Sequence, residues 1–172
     1  MSGVGAPSAD AVDGTGRRVA IVATRWYAEV TDALVDGAVD AARSAGAADV
    51  EVVRVPGAFE LPVVADALAK SGRYDGVVCL GVVVRGGTPH FDYVCRAVTD
   101  GCARVALDAG IPVGFGVLTV DDLDQARARA GGSEGHKGRE TVLAVLETLQ
   151  VLDAVRGPGH SEAARTAAPP RH

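Results

Sequence analysis

Apolar residues along the middle of this chain switch repeatedly between two spacings. Short, largely apolar runs at residues 18–23, 50–55, 76–84 and 112–118 read as strands, the third of them, broken only by Gly81 from Val77 to Val84, as a buried parallel strand. Between and after them apolar positions recur every three or four residues. The segment 31–45 carries Leu34, Val35, Ala38, Val39 and Ala42 at helical spacing and stops at Gly46. Further helical patterns cover 61–70, closed by Ser71-Gly72, then 89–109, 123–130 and 139–155. Strand and helix in alternation predict a four-stranded parallel sheet with helices on both faces. Right-handed crossovers then bring every strand-to-helix junction to one edge of the sheet. No internal repeat is found. Residues 1–16, rich in Gly, Ala, Ser and Asp, and 157–172, rich in Gly, Pro, Ala and Arg from Pro158 onward, read as flexible tails around a domain spanning 17–156.

The 172 residues suffice for one domain with a sizeable core. Apolar residues are 48% of the chain and aromatics only 4%, so Val, Ala and Leu must build that core. A net charge of −5 argues against a general nucleic-acid or anionic-membrane surface, while leaving room for a local basic pocket. Cys79, Cys95 and Cys102 form no C-x-x-C pair and leave an odd thiol, which fits a reducing cytoplasm. Their default role is packing. No apolar run nears the ~20 residues of a membrane span. The first residues lack the basic start and apolar stretch of a signal peptide.

Four junctions therefore share one rim, and each carries candidate chemistry. After the first strand come Thr24-Arg25-Trp26-Tyr27, adjacent aromatics in a chain with one Trp and three Tyr. Trp26 either stacks on a flat heterocycle or plugs the sheet end. After the second come Val55-Pro56-Gly57-Ala58-Phe59-Glu60; Gly57 and Ala58 either offer N–H donors or form a plain turn, and Glu60 suits a helix start in any case. The third strand ends in Val82-Val83-Val84-Arg85-Gly86-Gly87-Thr88-Pro89-His90. Two glycines before a helix N-terminus suit an anion, and the neighbouring His suits proton transfer near neutral pH. Two glycines and one His also occur together by accident. Arg85, directly after a buried strand, is expected in structural ion pairs. After the fourth strand, Phe115-Gly116-Val117-Leu118-Thr119 lead to Asp121, Asp122 and Asp124, which suit a helix start. Arg127 to Gly138 then combine glycines with fixed positive charge, either a closing segment over a phosphate or a solvated hinge.

Four segments in this order and spacing resemble lumazine synthase, an enzyme family of riboflavin biosynthesis: residues 55–60, 81–93, 115–119 and 125–138. The resemblance covers residues 18–152 and implies a flavodoxin-like three-layer sandwich. It also implies a transferase that condenses 5-amino-6-(D-ribitylamino)uracil with 3,4-dihydroxy-2-butanone 4-phosphate, with no metal or organic cofactor. Carried over by position, Trp26, Ala58, Phe59, Glu60, Val82, Val83, Val84 and Phe115 would bind the aminouracil. Gly87, Thr88, Arg129 and Lys137 would bind the butanone phosphate, and His90 would move protons. Arg129 and Phe115 would come from across an interface.

The resemblance further implies a ring of five subunits, a shell of twelve such rings in some members, and riboflavin synthase as an associated partner. A short glycine-rich 131–138 loop points toward the shell. Three positions depart from the common pattern: Trp26 where Phe is frequent, Gly87 where Ala or Gln is frequent, and His136 where many members have Asn. The last is expected to bear on assembly or on polarity near the phosphate. Two other readings compete. A binding protein on the same scaffold would have little use for Thr88, His90 and Arg129 together. A flavodoxin-like nucleotide-binding domain would carry its phosphate loop after the first strand, where Thr24-Arg25-Trp26-Tyr27 has no glycine.

Overall fold

A computed structural model describes residues 12–157. In chain order these form β1 (Arg18–Thr24), α1 (Ala28–Ser44), β2 (Asp49–Val55), one 3-10 turn (Ala58–Glu60), α2 (Leu61–Lys70), β3 (Gly76–Val84), α3 (His90–Ala109), β4 (Val113–Val120), α4 (Leu123–Arg129), β5 (Ala130–Gly132), β6 (Gly135–His136) and α5 (Lys137–Arg156). The main sheet is parallel throughout, in the order β2-β1-β3-β4. This is the expected flavodoxin-like three-layer sandwich.

The two faces of the sheet bury separate cores. Val19, Ile21, Ala23, Val78 and Leu80 face Leu34, Ala38, Val142 and Leu146 of α1 and α5. Ala20, Val22, Val77 and Cys79 face Leu61, Ala65, Val98 and Cys102 of α2 and α3. Successive strand residues point to opposite faces, so a strand covered twice must be apolar throughout. That is why β1 and β3 are nearly continuous apolar runs, whereas edge strand β2 carries Glu51 and Arg54.

Boundaries moved where local geometry overrode periodicity. Helix α1 starts at Ala28, three residues before the apolar spacing begins, because Tyr27 turns the chain with φ 55° and ψ 53°. Strand β4 continues to Val120, so residues 115–119 lie inside it and do not follow it. The glycine-rich 130–136 stretch is a two-stranded hairpin, β5 with β6, where a loop was expected. At the N-terminus, residues 12–16 do not behave as a tail. Val12 packs on the α1/α5 core, Gly14 N–H donates to the Ala45 carbonyl at 2.7 Å, and Thr15 bridges Ala47. Residues 1–11 and 158–172 of the expected tails lie outside the described residues.

Candidate active site

All four main strands end at one rim, and their ends are tied together there. Arg25 N–H donates to the Val55 carbonyl at 3.0 Å and Arg85 N–H to the Val120 carbonyl at 2.9 Å. Strand β3 overhangs its neighbour. Its ladder with β1 stops at Ala23–Leu80, whereas its ladder with β4 runs on to Val84–Val120. Among the described residues no strand pairs with the β1-facing edge of Val82, Val83 and Val84. Backbone polar groups require partners, so this edge is a row of donors and acceptors open to a ligand. Val82 itself is buried, so it offers backbone and not side chain.

Trp26 stands on the β1–α1 turn with 64% of its surface exposed. The turn is clamped by Arg54 of β2, whose guanidinium donates to the Thr24 carbonyl at 3.3 Å and to Asp32 Oδ1 at 2.5 Å. Tyr27, in the left-handed region, is the one non-glycine residue there among those described. A β-carbon on Gly57 would lie 3.8 Å from Trp26 Cδ1, so the indole and the β2–α2 junction share a wall. On that junction Ala58 is buried, Phe59 is 65% exposed, and Glu60 Oε2 accepts from Gly57 N–H at 2.9 Å. The capping role weighed for Glu60 is thus present, and it engages only one carboxylate oxygen.

Beyond β3, the segment 85–90 is exposed. A β-carbon on Gly86 or Gly87 would meet nothing within 4 Å, and neither glycine has positive φ. Nothing in the protomer crowds these positions; their openness admits a ligand to the backbone. Arg85 is committed to the frame. It pairs with Asp121 at 3.0 Å and Asp92 at 3.4 Å, and its guanidinium lies 4.0 Å over the Phe91 ring. Thr88 and His90 lead into the N-terminus of α3, a 20-residue helix whose dipole favours an anion there.

One protomer does not assemble the whole expected set. Phe115 pairs with Cys79, five residues short of the Val84–Val120 rim, which is about 16 Å along a strand. It is exposed on the edge strand instead. Arg129 ends α4 and donates to the Gln125 carbonyl at 3.0 Å; it bonds to none of residues 86–90. Lys137 pairs with Glu140 at 2.5 Å. His136 is the cap of α5, its Nδ1 accepting from Arg139 N–H at 3.5 Å.

The three thiols are free. Cys102 beside it and burial push the Cys79 thiol well up, and burial pushes Cys95 up, so both stay protonated packing residues. Among the described residues no three His, Cys, Asp or Glu side chains gather to hold a metal, and no helix is long and apolar enough to cross a membrane. What sequence reasoning missed is the framing: the Arg54 clamp, the Tyr27 turn and the β3 overhang leave no local motif.

Residues 16–153 match the family model described as 6,7-dimethyl-8-ribityllumazine synthase. Curated relatives carry the same description. That of Frankia casuarinae is 63% identical over 155 residues, covering 88% of this chain and 96% of the relative. That of Kineococcus radiotolerans is 58% identical over 90% and 96%, and that of Salinispora arenicola 58% over 91% and 93%.

Proposed function

The chain belongs to the 6,7-dimethyl-8-ribityllumazine synthase family, and from that premise we propose how its rim performs the family's reaction in riboflavin biosynthesis. It condenses 5-amino-6-(D-ribitylamino)uracil with 3,4-dihydroxy-2-butanone 4-phosphate, releasing phosphate and water. The observation that carries the assignment of this rim is the overhang of β3 above an open glycine loop. A row of unpaired backbone groups beside an exposed Trp suits a flat, polar pyrimidine, and the adjoining helix N-terminus suits a phosphate.

The pyrimidine stacks on Trp26 and bonds to the backbone of Val82, Val83 and Val84. Ala58 and Phe59 line the next wall, and Glu60 faces the ribityl chain with its uncapped oxygen. Gly87 and Thr88 hold the phosphate with Arg129 and Lys137, and Phe115 closes the pocket. Because Phe115 sits far from its own rim, the last contacts come from a neighbouring subunit. That arrangement is a ring of five, and the short β5–β6 hairpin supports the twelve-ring shell. Three free thiols suit a cytoplasmic enzyme, and riboflavin synthase is the expected partner.

The 5-amino nitrogen attacks the ketone carbon, and loss of water leaves an imine. A proton then leaves the hydroxyl-bearing carbon, and the neighbouring C–O bond breaks with its electron pair going to phosphate. The resulting enol tautomerises to a ketone. Attack by the ribityl-bearing nitrogen closes the ring and expels a second water. His90, beside the phosphate, moves the protons. Holding both substrates in register supplies most of the acceleration.

Purified protein given both substrates should form the lumazine chromophore and phosphate in equal amounts, faster than the spontaneous condensation. Chromophore binding without phosphate release would overturn the assignment in favour of a binding protein.

A further inference from the structure

The imidazole of His136 lies between two glycines. A β-carbon on Gly37 of α1 would sit 2.1 Å from both Cε1 and Nε2, and one on Gly131 of β5 would sit 3.2 Å from Cδ2. With Nδ1 at 2.8 Å, the three heavy atoms nearest a Gly37 β-carbon all belong to the His136 ring. The same residue pairs across the hairpin with Ala130 and precedes the first residue of α5. His136 therefore touches α1, adjoins Arg129 through Ala130, and adjoins Lys137 directly.

We propose that His136 is a positioning residue for the butanone-phosphate site: its ring, keyed into Gly37, fixes the hairpin that presents Arg129 and Lys137. The inference rests on the placement of those two cations at the phosphate given above. A rigid key is needed because the hairpin has only three and two residues in its strands, exposed Gly131, Gly132 and Gly135 among them, joined by exposed Ser133 and Glu134. Such a hairpin has little packing of its own. Side chain and notch must match, since either a methyl at 37 or loss of the ring at 136 shifts the hairpin against α1.

The test is a set of variants assayed for both substrates. Gly37→Ala should raise the KM for the butanone phosphate about 10- to 100-fold, as misplacement on the ångström scale does, with the KM for the aminouracil little changed. Adding His136→Asn, which puts an amide oxygen in place of the Nδ1 cap but removes the ring, should restore much of the loss in the Gly37→Ala background. His136→Ala alone should raise the same KM, and it creates space, so it stays informative if Gly37→Ala does not fold. Arg129→Ala is the reference. If it leaves the butanone-phosphate KM unchanged, the phosphate assignment falls and the inference with it. If it raises that KM while the Gly37 and His136 variants do not, or while both substrates' KM values change equally in them, only the keying of the hairpin is overturned.

Discussion

His90 opens α3 in full exposure, and its imidazole makes no hydrogen bond or ion pair among the described residues. A side chain so unsupported by its own protomer gains its orientation from bound substrate. In the proposed mechanism its share of the catalysis is therefore modest. His90→Ala should slow kcat by roughly 10²-fold or less, the scale of one general acid–base group, with phosphate release and chromophore formation slowed together. A variant with no measurable turnover would contradict that division. The residues proposed to touch substrate were legible in the sequence because rim position and residue type coincide, as for Trp26, Thr88 and His90. The residues that hold them were not. Arg54 lies in an edge strand and Tyr27 in a turn with no glycine; only their contacts across elements reveal them. The left-handed Tyr27 is backbone strain beside the exposed Trp26, the aromatic proposed to bind the pyrimidine; such strain tends to gather at functional sites.

At the scale of elements, the strands were legible and the connections were not. Double burial forces long apolar runs on β1 and β3, so their extents could be read almost residue by residue. The β5–β6 hairpin has too few residues for any period to appear. Close packing of α1 on α5 was equally invisible: a β-carbon on Gly138 would lie 2.0 Å from the Leu34 carbonyl oxygen, so only glycine permits that approach. Edge strand β2 is fastened through Glu51, which accepts from the Tyr74 hydroxyl and pairs with Arg73 at 3.5 Å. Burial first, and the Glu51 bond second, push the Tyr74 phenol up to about 12. The folded state thus keeps a proton that the unfolded chain loses near 10. Stability from this contact is complete below about pH 10 and falls as the pH rises toward about 12. Denaturant unfolding across that range should show the fall, and Tyr74→Phe should flatten it. An equal fall in Tyr74→Phe would place the alkaline sensitivity elsewhere.

For the whole molecule, the telling feature is what one chain leaves unfinished. Phe115, Tyr93, Phe59 and Trp26 are exposed together with Val63 and Leu107, far more large apolar side chains than an isolated domain needs to show. Phe115 cannot reach its own rim, and Arg129 is not bonded to residues 86–90 of its own chain, the proposed phosphate loop. In a ring of heterologous contacts each subunit gives one half of a site to one neighbour and the other half to the next. That Phe115 and Arg129 come from across an interface was implied in the sequence by the family resemblance alone; the sheet register, which keeps Phe115 from its own rim, supports it.

Mixed rings test this shared site most directly. His90→Ala and Arg129→Ala subunits, each impaired alone, are co-assembled in equal amounts and assayed at low butanone phosphate. With halves drawn from adjacent subunits, about one quarter of the sites in a randomly mixed heterologous ring carry neither substitution, and activity should rise to about that fraction of the unsubstituted enzyme. If mixing gives only the average of the two variants, both residues serve the same subunit's site and the account is wrong.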